Sequence, residues 1–289
     1  MPDLPIARII HLSDLHFGDQ LENREHWWHK HLATTPLQGR YTHDYTAAIS
    51  LQRILHEITQ QAQDAGVPII LIHTGDLTAN GAEPEFSVGQ SFLRTLGEVH
   101  NIPGNHDKWG YTAWQPPHWY QAHFPPPQPI LCLNGEIILY PLDSNKHTKP
   151  FWDATGTICP QTLDQICTHI AGHPDAIRIV LMHHPVHVEG PNDDPRLRLD
   201  NRDQIALRLA AAGANLILSG HVHISRQHEP TPNRPLQCIA GSATQIRAPK
   251  TFLVIDTYPD GFDPQEYIMG PYNNFVLPPA GIRTQPTQL

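Results

Sequence analysis

The stretch 7–16, ARIIHLSDLH, decides the fold. Its first part, Ala7–Leu12, is a short run rich in branched apolar side chains, and it passes directly into Ser13-Asp14-Leu15-His16. A run of this length that ends in polar residues reads as a buried strand. Side chains two apart in an extended chain point the same way, so Asp14 and His16 can converge on one point beyond the strand. The same grammar recurs along the chain. PIILI (68–72) precedes His73-Thr74-Gly75-Asp76, and 98–102 precedes Pro103-Gly104-Asn105-His106-Asp107. IRIVLM (177–182) leads to His183-His184-Pro185, and NLIL (215–218) leads to Ser219-Gly220-His221-Val222-His223. Further strands are expected at 236–240 and 251–256.

Helical periodicity lies between these runs. Residues 45–65 carry apolar positions at Ile49, Ile54, Leu55 and Ile58 and stop at Gly66-Val67-Pro68. Shorter helices are expected at 85–96, 161–170 and 201–212. Alternating strands and helices imply an α/β fold, in which ligands gather outside the carboxyl ends of the strands. Each of the polar clusters falls there. No repeat or long linker divides the chain, so 1–270 reads as one domain and 271–289 as an irregular tail. Two segments interrupt the alternation, 17–44 and 109–129. The first follows Asp14-Leu15-His16 directly and contains Trp27 and Trp28. It is either a flap that lays Trp27 and Trp28 on a substrate or surface elaboration packed on its own aromatics.

Composition narrows the chemistry. The 289 residues include 21 His, and a neutral imidazole is the commonest side-chain metal ligand. The clustered donors are nitrogen and oxygen without sulfur, which suits Mn, Fe, Zn or Co over thiolate-bound zinc or an all-oxygen Mg or Ca site. The formal charge of −9, with no basic run, argues against an extended nucleic-acid face. A small anionic substrate remains compatible, because two bound divalent cations bring about four positive charges into one cleft. The 4 cysteines form no CxxC pair and read as inert thiols. No apolar run reaches the ~18 residues of a membrane span, and the N-terminus lacks the pattern of a signal peptide. A cytoplasmic protein is the expectation.

In order along the chain, DLH, GD, GNHD, HHP and GHVH resemble the motif series of the calcineurin-like metallophosphoesterases, D-x-H, G-D, G-N-H-[DE], H, G-H-x-H. The resemblance implies a four-layer α-β-β-α sandwich and hydrolysis of a phosphate ester by a hydroxide bridging two metal ions. It implies a first metal on Asp14, His16, Asp76 and His223, and a second on Asp76, Asn105, His183 and His221, with Asp76 shared. Mn and Fe lead the expected metals, with Zn and Co behind. His106 would stabilise developing charge and protonate the leaving group, with Asp107 orienting it.

GDLTANG lacks the GDxVDRG pattern of the protein Ser/Thr phosphatases, and DxH replaces the DxG of purple acid phosphatases. Asn105-His106 differs from the Asn-Arg of lipid A precursor hydrolases. HLSDLH, GDLT, HHP and AGSATQ (240–245) are instead similar to the bacterial cyclic-nucleotide and glycerophosphodiester phosphodiesterases. The alternatives are a nuclease of the same superfamily and a metal-free binding scaffold. Two readings stay open at this level, at His184 and at the arginines after it. His184 either touches substrate or is structural. His11 and His73 are expected inside, orienting ligands. Arg196, Arg198 and Arg202 either meet a second phosphate charge or form a solvated loop.

Overall fold

The computed structural model describes residues 4–18, 43–108, 122–124, 126, 128–146, 154–246, 248–270 and 275–276. Its architecture follows from strands whose two faces are both apolar. In β1 (Ala7–Leu12) and β2 (Ile69–His73), Ile9, Ile70 and Ile72 face one way, and Ile10, Leu12 and Leu71 the other. Such a strand is stable only when both of its faces are covered.

These two strands join β3 (Val99–Asn101), β10 (Thr251–Tyr258), β11 (Gly261–Met269) and β12 (Phe275–Val276) in a sheet ordered β12-β11-β10-β1-β2-β3. The second sheet contains β4 (Ile130–Cys132), β5 (Ile137–Pro141), β6 (Ile177–Leu181), β7 (Leu216–Ser219), β8 (Arg226–His228) and β9 (Leu236–Ile239), ordered β4-β5-β6-β7-β9-β8. Strands β1, β2 and β3 run parallel, as do β5, β6, β7 and β9.

Ile9, Ile72 and Ile255 of the first sheet pack with Leu139, Ile179 and Leu218 of the second, so the sheets meet face to face. The outer face of the first sheet is covered by α1 (Tyr45–Asp64) and α2 (Glu83–Leu96), through Leu51, Leu55, Ile58 and Leu93. The outer face of the second is covered by α3 (Pro160–Ala171) and α4 (Arg202–Ala212), through Leu163, Ile166, Ile205 and Leu209. The result is the expected α-β-β-α sandwich. Burying each such side chain contributes about 1.5–3 kcal/mol, so this layering is the main source of stability.

The differences from the sequence expectations are local. Ile49 is not on the packed face of α1; it is 72% exposed, and Ala47, Ala48 and Leu51 take the buried stripe. Strands β4, β5, β8 and β11 go beyond the expected set. β5 is a wholly buried run followed by Asp143-Ser144-Asn145, a polar cluster that belongs to none of the motifs. Phe275–Val276 pairs with β11 inside the stretch read as an irregular tail. Most of that tail, most of 17–44 with Trp27 and Trp28, and most of 109–129 lie outside the described residues. Among the described residues, no helix is long and apolar enough to cross a membrane.

Candidate metal centre

The polar clusters come together because β1 runs parallel to β2 and β6 to β7, so the loops after each pair leave the same end of their sheet. The loops beyond them are tied to one another by the main chain. Asp14 N donates to Gly75 O at 2.9 Å, His16 N to Asp76 O at 2.9 Å, and Gly220 N to His183 O at 3.0 Å. Gly75 and Gly220 permit this closeness. A Cβ on Gly75, whose φ is +102°, would lie 2.6 Å from Gly104 N and 2.8 Å from His183 Nδ1. One on Gly220 would lie 1.8 Å from Ser13 Oγ and 2.5 Å from Asp14 Oδ2.

The bends are tight enough to force strained conformations. Asp14, His16, Asp76, His221 and His223 all have φ between 48° and 74°, in the left-handed region. Only three other described non-glycine residues, Leu133, Asn134 and Asn201, share that sign. Each such residue costs about 1–3 kcal/mol and persists only where surrounding contacts impose it.

Asp76 lies at the middle. Its Oδ1 accepts from His106 N at 2.8 Å. Its Oδ2 is 3.4 Å from His183 Nε2, 3.6 Å from His16 Nε2 and 4.0 Å from His106 Nε2. On one side stand Asp14, His16 and His223, with His223 Nε2 at 3.2 Å from Asp14 Oδ1 and 3.1 Å from His16 Nε2. On the other, His183 Nε2 is 3.1 Å from Asn105 Oδ1 and 3.2 Å from His221 Nδ1. Donor atoms of Asp14, His16, Asp76 and His223 lie within 4.8 Å of one another, as do those of Asp76, His183 and His221.

These contacts fit cations better than a closed hydrogen-bond network. His183 Nδ1 donates to Thr74 O at 2.8 Å, so in the neutral ring Nε2 turns a lone pair towards His221 Nδ1 and the Asn105 oxygen. Among the described residues, His221 Nε2 has no hydrogen-bond partner, and Asp14 Oδ1, though 3.2 Å from His223 Nε2, makes no hydrogen bond of good geometry. Leaving such atoms unsatisfied costs about 1–3 kcal/mol each, unless a ligand takes them up. The field points the same way. Burial opposes a charge on His183, but the neighbouring Asp76 outweighs it and pushes the pKa up to about 9. Burial and then His183 pull His221 down to about 3, leaving a neutral ring able to ligate.

The calcineurin-like phosphoesterase family model matches residues 7–225. The chain belongs to this family. No curated protein matches it in sequence. Among solved structures, a dimetal phosphatase from Danio rerio shares its fold with a TM-score of 0.63 at 11% identity, over 94% of this chain and 98% of that one. The purple acid phosphatase PPD1 from yellow lupin (Lupinus luteus) seeds gives 0.59 at 10% identity, over 92% of this chain and 52% of the lupin chain. At these identities the likeness is one of fold.

Within this phosphoesterase, several expected roles change. Asp107 makes no hydrogen bond to His106. It is fully buried, and its carboxylate accepts from Leu77 N, Thr78 N, Thr78 Oγ1 and Gly104 N at 2.9–3.2 Å. With its oxygens filled, it staples the GDLT and GNHD turns together and has no lone pair left for catalysis. The Ala79 carbonyl orients His106 instead, accepting from Nδ1 at 2.8 Å. His184 is not placed to hold substrate. It is buried, with Nδ1 on Ser144 Oγ at 2.9 Å and Nε2 donating to Ala154 O at 3.0 Å. Its ring packs 4.3 Å from that of His221 and so fixes a donor. His11 and His73 are buried as expected, but they bond Thr74 Oγ1 and Asn101 Oδ1 rather than a donor of the centre.

The motif reading missed a clamp made by the 240–245 segment. Ser242 Oγ donates to Asp14 O at 2.7 Å, Thr244 Oγ1 to Leu15 O at 3.0 Å, and Gln245 Nε2 to His223 O at 2.7 Å. These bonds hold the strained turns from outside. A polar run directly after a predicted strand was the available signal. His43 was also missed. Its ring centroid is 4.4 Å from that of His16, and no motif marks it.

Proposed function

We propose that the chain is a dinuclear-metal phosphodiesterase acting on a small phosphodiester of the cyclic-nucleotide or glycerophosphodiester type. The carrying observation is that Asp76 Oδ2 stands between two groups of N and O donors, all buried except the half-buried His223, each close enough to hold an ion. Asp14, His16, Asp76 and His223 would hold one ion, and Asp76, Asn105, His183 and His221 the other. Mn and Fe suit this mixed set, with Zn or Co as substitutes. When bound, such a pair lowers the pKa of water and clamps phosphoryl oxygens during in-line displacement.

The chain's own residues do the rest. Burial excludes water from the donors, and the strained turns preset their geometry. His106, fixed through Nδ1–H to Ala79 O, presents Nε2 beside Asp76, where it can meet a phosphoryl or leaving oxygen. Diester preference is supported by HLSDLH, GDLT, HHP and AGSATQ, the last of which clamps the Asp14 and His223 turns. A small substrate is supported by the net charge of −9.

The test is kcat/KM for bis(4-nitrophenyl) phosphate against 4-nitrophenyl phosphate, on one Mn-loaded preparation. The diester should be the better substrate. Preference for the monoester would overturn the diesterase reading, and absence of metal at saturating Mn would make the chain a binding scaffold. Cleavage of single-stranded DNA in preference to small diesters would move it to the nucleases.

A further inference from the structure

His43 lies outside the family motif series, yet its ring is packed among the donors of the first ion. Its centroid is 4.4 Å from that of His16 and 5.7 Å from that of His223. One of its ring nitrogens lies within 4.8 Å of ring nitrogens of both. The residue is 2% exposed.

Proton counting fixes its tautomer. Thr244 Oγ1 carries one proton and stands 3.0 Å from the Leu15 carbonyl, which can only accept. That proton is donated to Leu15. The same oxygen is 2.8 Å from His43 Nδ1, so there it must accept. The ring proton is therefore on Nδ1, and in neutral imidazole the lone pair is on Nε2. His183 is arranged identically, with its Nδ1 donating to Thr74 O and its Nε2 turned towards Asp76.

The backbone locks this placement. His43 bridges Gln245, and Asp44 N donates to Thr244 O at 2.7 Å. The Asp44 side chain then caps α1 by accepting from Thr46 N at 3.0 Å. Helix start and clamp segment thus fix the ring from two directions. A histidine whose second nitrogen is committed to an oxygen acceptor is the general form of a metal-binding histidine.

We propose that His43, through Nε2, is a further ligand of the ion held by Asp14, His16, Asp76 and His223. This rests on the two-metal reading above. The first site then has three imidazoles and two carboxylates. The second has two imidazoles, one amide oxygen and the shared carboxylate. The nitrogen-rich site binds first and more tightly, and it favours Co, Zn or Fe over Mn.

Titration of the metal-free full chain with Co(II), followed by calorimetry and visible absorption, tests this. Wild-type protein should fill in two steps. His43→Ala should weaken the tighter step by at least ~100-fold and alter the absorption band of the first equivalent, leaving the second step in place. Thr244→Val removes the Nδ1 acceptor while keeping the ring, and should weaken the same step by about 10-fold. Thermal unfolding of the metal-free variants separates ligation from misfolding. Should His43→Ala not fold, His43→Gln and Thr244→Val carry the test. Wild-type affinity and spectrum for the first ion in these variants would overturn the assignment of His43 alone. A wild-type chain that binds no Co(II) would overturn the two-metal reading with it.

Discussion

Two polar clusters in this molecule have residue types suited to a phosphate, and they are built on opposite principles. In the segment 193–202, which leads into α4, every charge is answered nearby. Asp193 takes Arg198 at 2.8 Å and Arg202 at 2.6 Å, and Asp194 takes Arg196 at 2.6 Å. Arg196, whose side chain is 71% exposed, stands in solvent. In the metal centre, by contrast, the carboxylates and all the donor imidazoles but the half-buried His223 are buried, and they face one another with part of their hydrogen-bonding capacity unused. Among the described residues, Asp14 Oδ1 and His221 Nε2 are unsatisfied, and the main chain is strained at five donors. The first cluster neutralises itself and stabilises a loop. The second is complete only with something added. Residue type alone cannot separate them; satisfaction and strain do.

The largest effect that sharpens this contrast is expected from Asp76→Asn. Removing the shared charge weakens both ion sites together, so metal content should fall below one ion per chain. Activity should drop by 10³-fold or more as an order-of-magnitude estimate, on the order of several kcal/mol of lost electrostatic stabilisation. Loss at His16→Ala or His221→Ala should be smaller, because each touches one ion. Elemental analysis beside kcat decides it. Equal metal content in Asp76→Asn and wild type would break the picture of a shared ligand.

His106→Asn comes next. Metal content should be unchanged, since the ring is held by the Ala79 carbonyl and Nε2 is 4.0 Å from Asp76 Oδ2. With Nδ1–H committed to Ala79, only the cationic ring can donate from Nε2. Burial pushes its pKa down to about 4, with Asp76 opposing that shift; an arriving phosphate anion would favour the protonated ring in the same way as Asp76 does. Proton donation is typically worth ~10²–10⁴-fold, and most for a poor leaving group. A glycerol or ribose diester should therefore lose more rate than a nitrophenyl diester. Equal losses on both would assign His106 to positioning alone.

What was legible in the sequence follows the same division. The strand ends carrying Asp14, Asp76, His183 and His221 were legible because an apolar run and a chemically distinctive cluster adjoin there. β5 was not, since its neighbours in the sheet, rather than anything after it, decide its burial. Ile49 was misplaced because hydrophobicity was read without the face: Leu51, Leu55 and Ile58 settle which side of α1 is inward. Asp107 looked catalytic by adjacency to His106. Its oxygens turn instead to the Leu77, Thr78 and Gly104 backbone, a destination that depends on two loops meeting. His43 and Thr244 are 201 positions apart, so their contact could not be read from spacing.

The smallest effect tests the self-contained cluster. Arg202 first, then Arg198, hold the Asp193 carboxyl below its ordinary value, against a burial contribution that raises it. The sign follows from linkage. A carboxyl depressed in the folded state stabilises the fold above its unfolded pKa, near 3.8, and that stability is lost as the pH falls below it. Asp193→Asn should therefore lower stability by about 1 kcal/mol or less at pH 7, the scale of partly exposed ion pairs. The gap from wild type should begin to narrow below about pH 4, as the unfolded wild-type carboxyl takes up a proton that the folded one still resists. Urea unfolding of metal-free protein at pH 7 and pH 3 measures both. KM for the diester should stay within about twofold, because Arg198 and Arg202 serve the loop rather than the substrate. A several-fold rise in KM with no change in stability would place these arginines on the phosphate and erase the contrast between the two clusters.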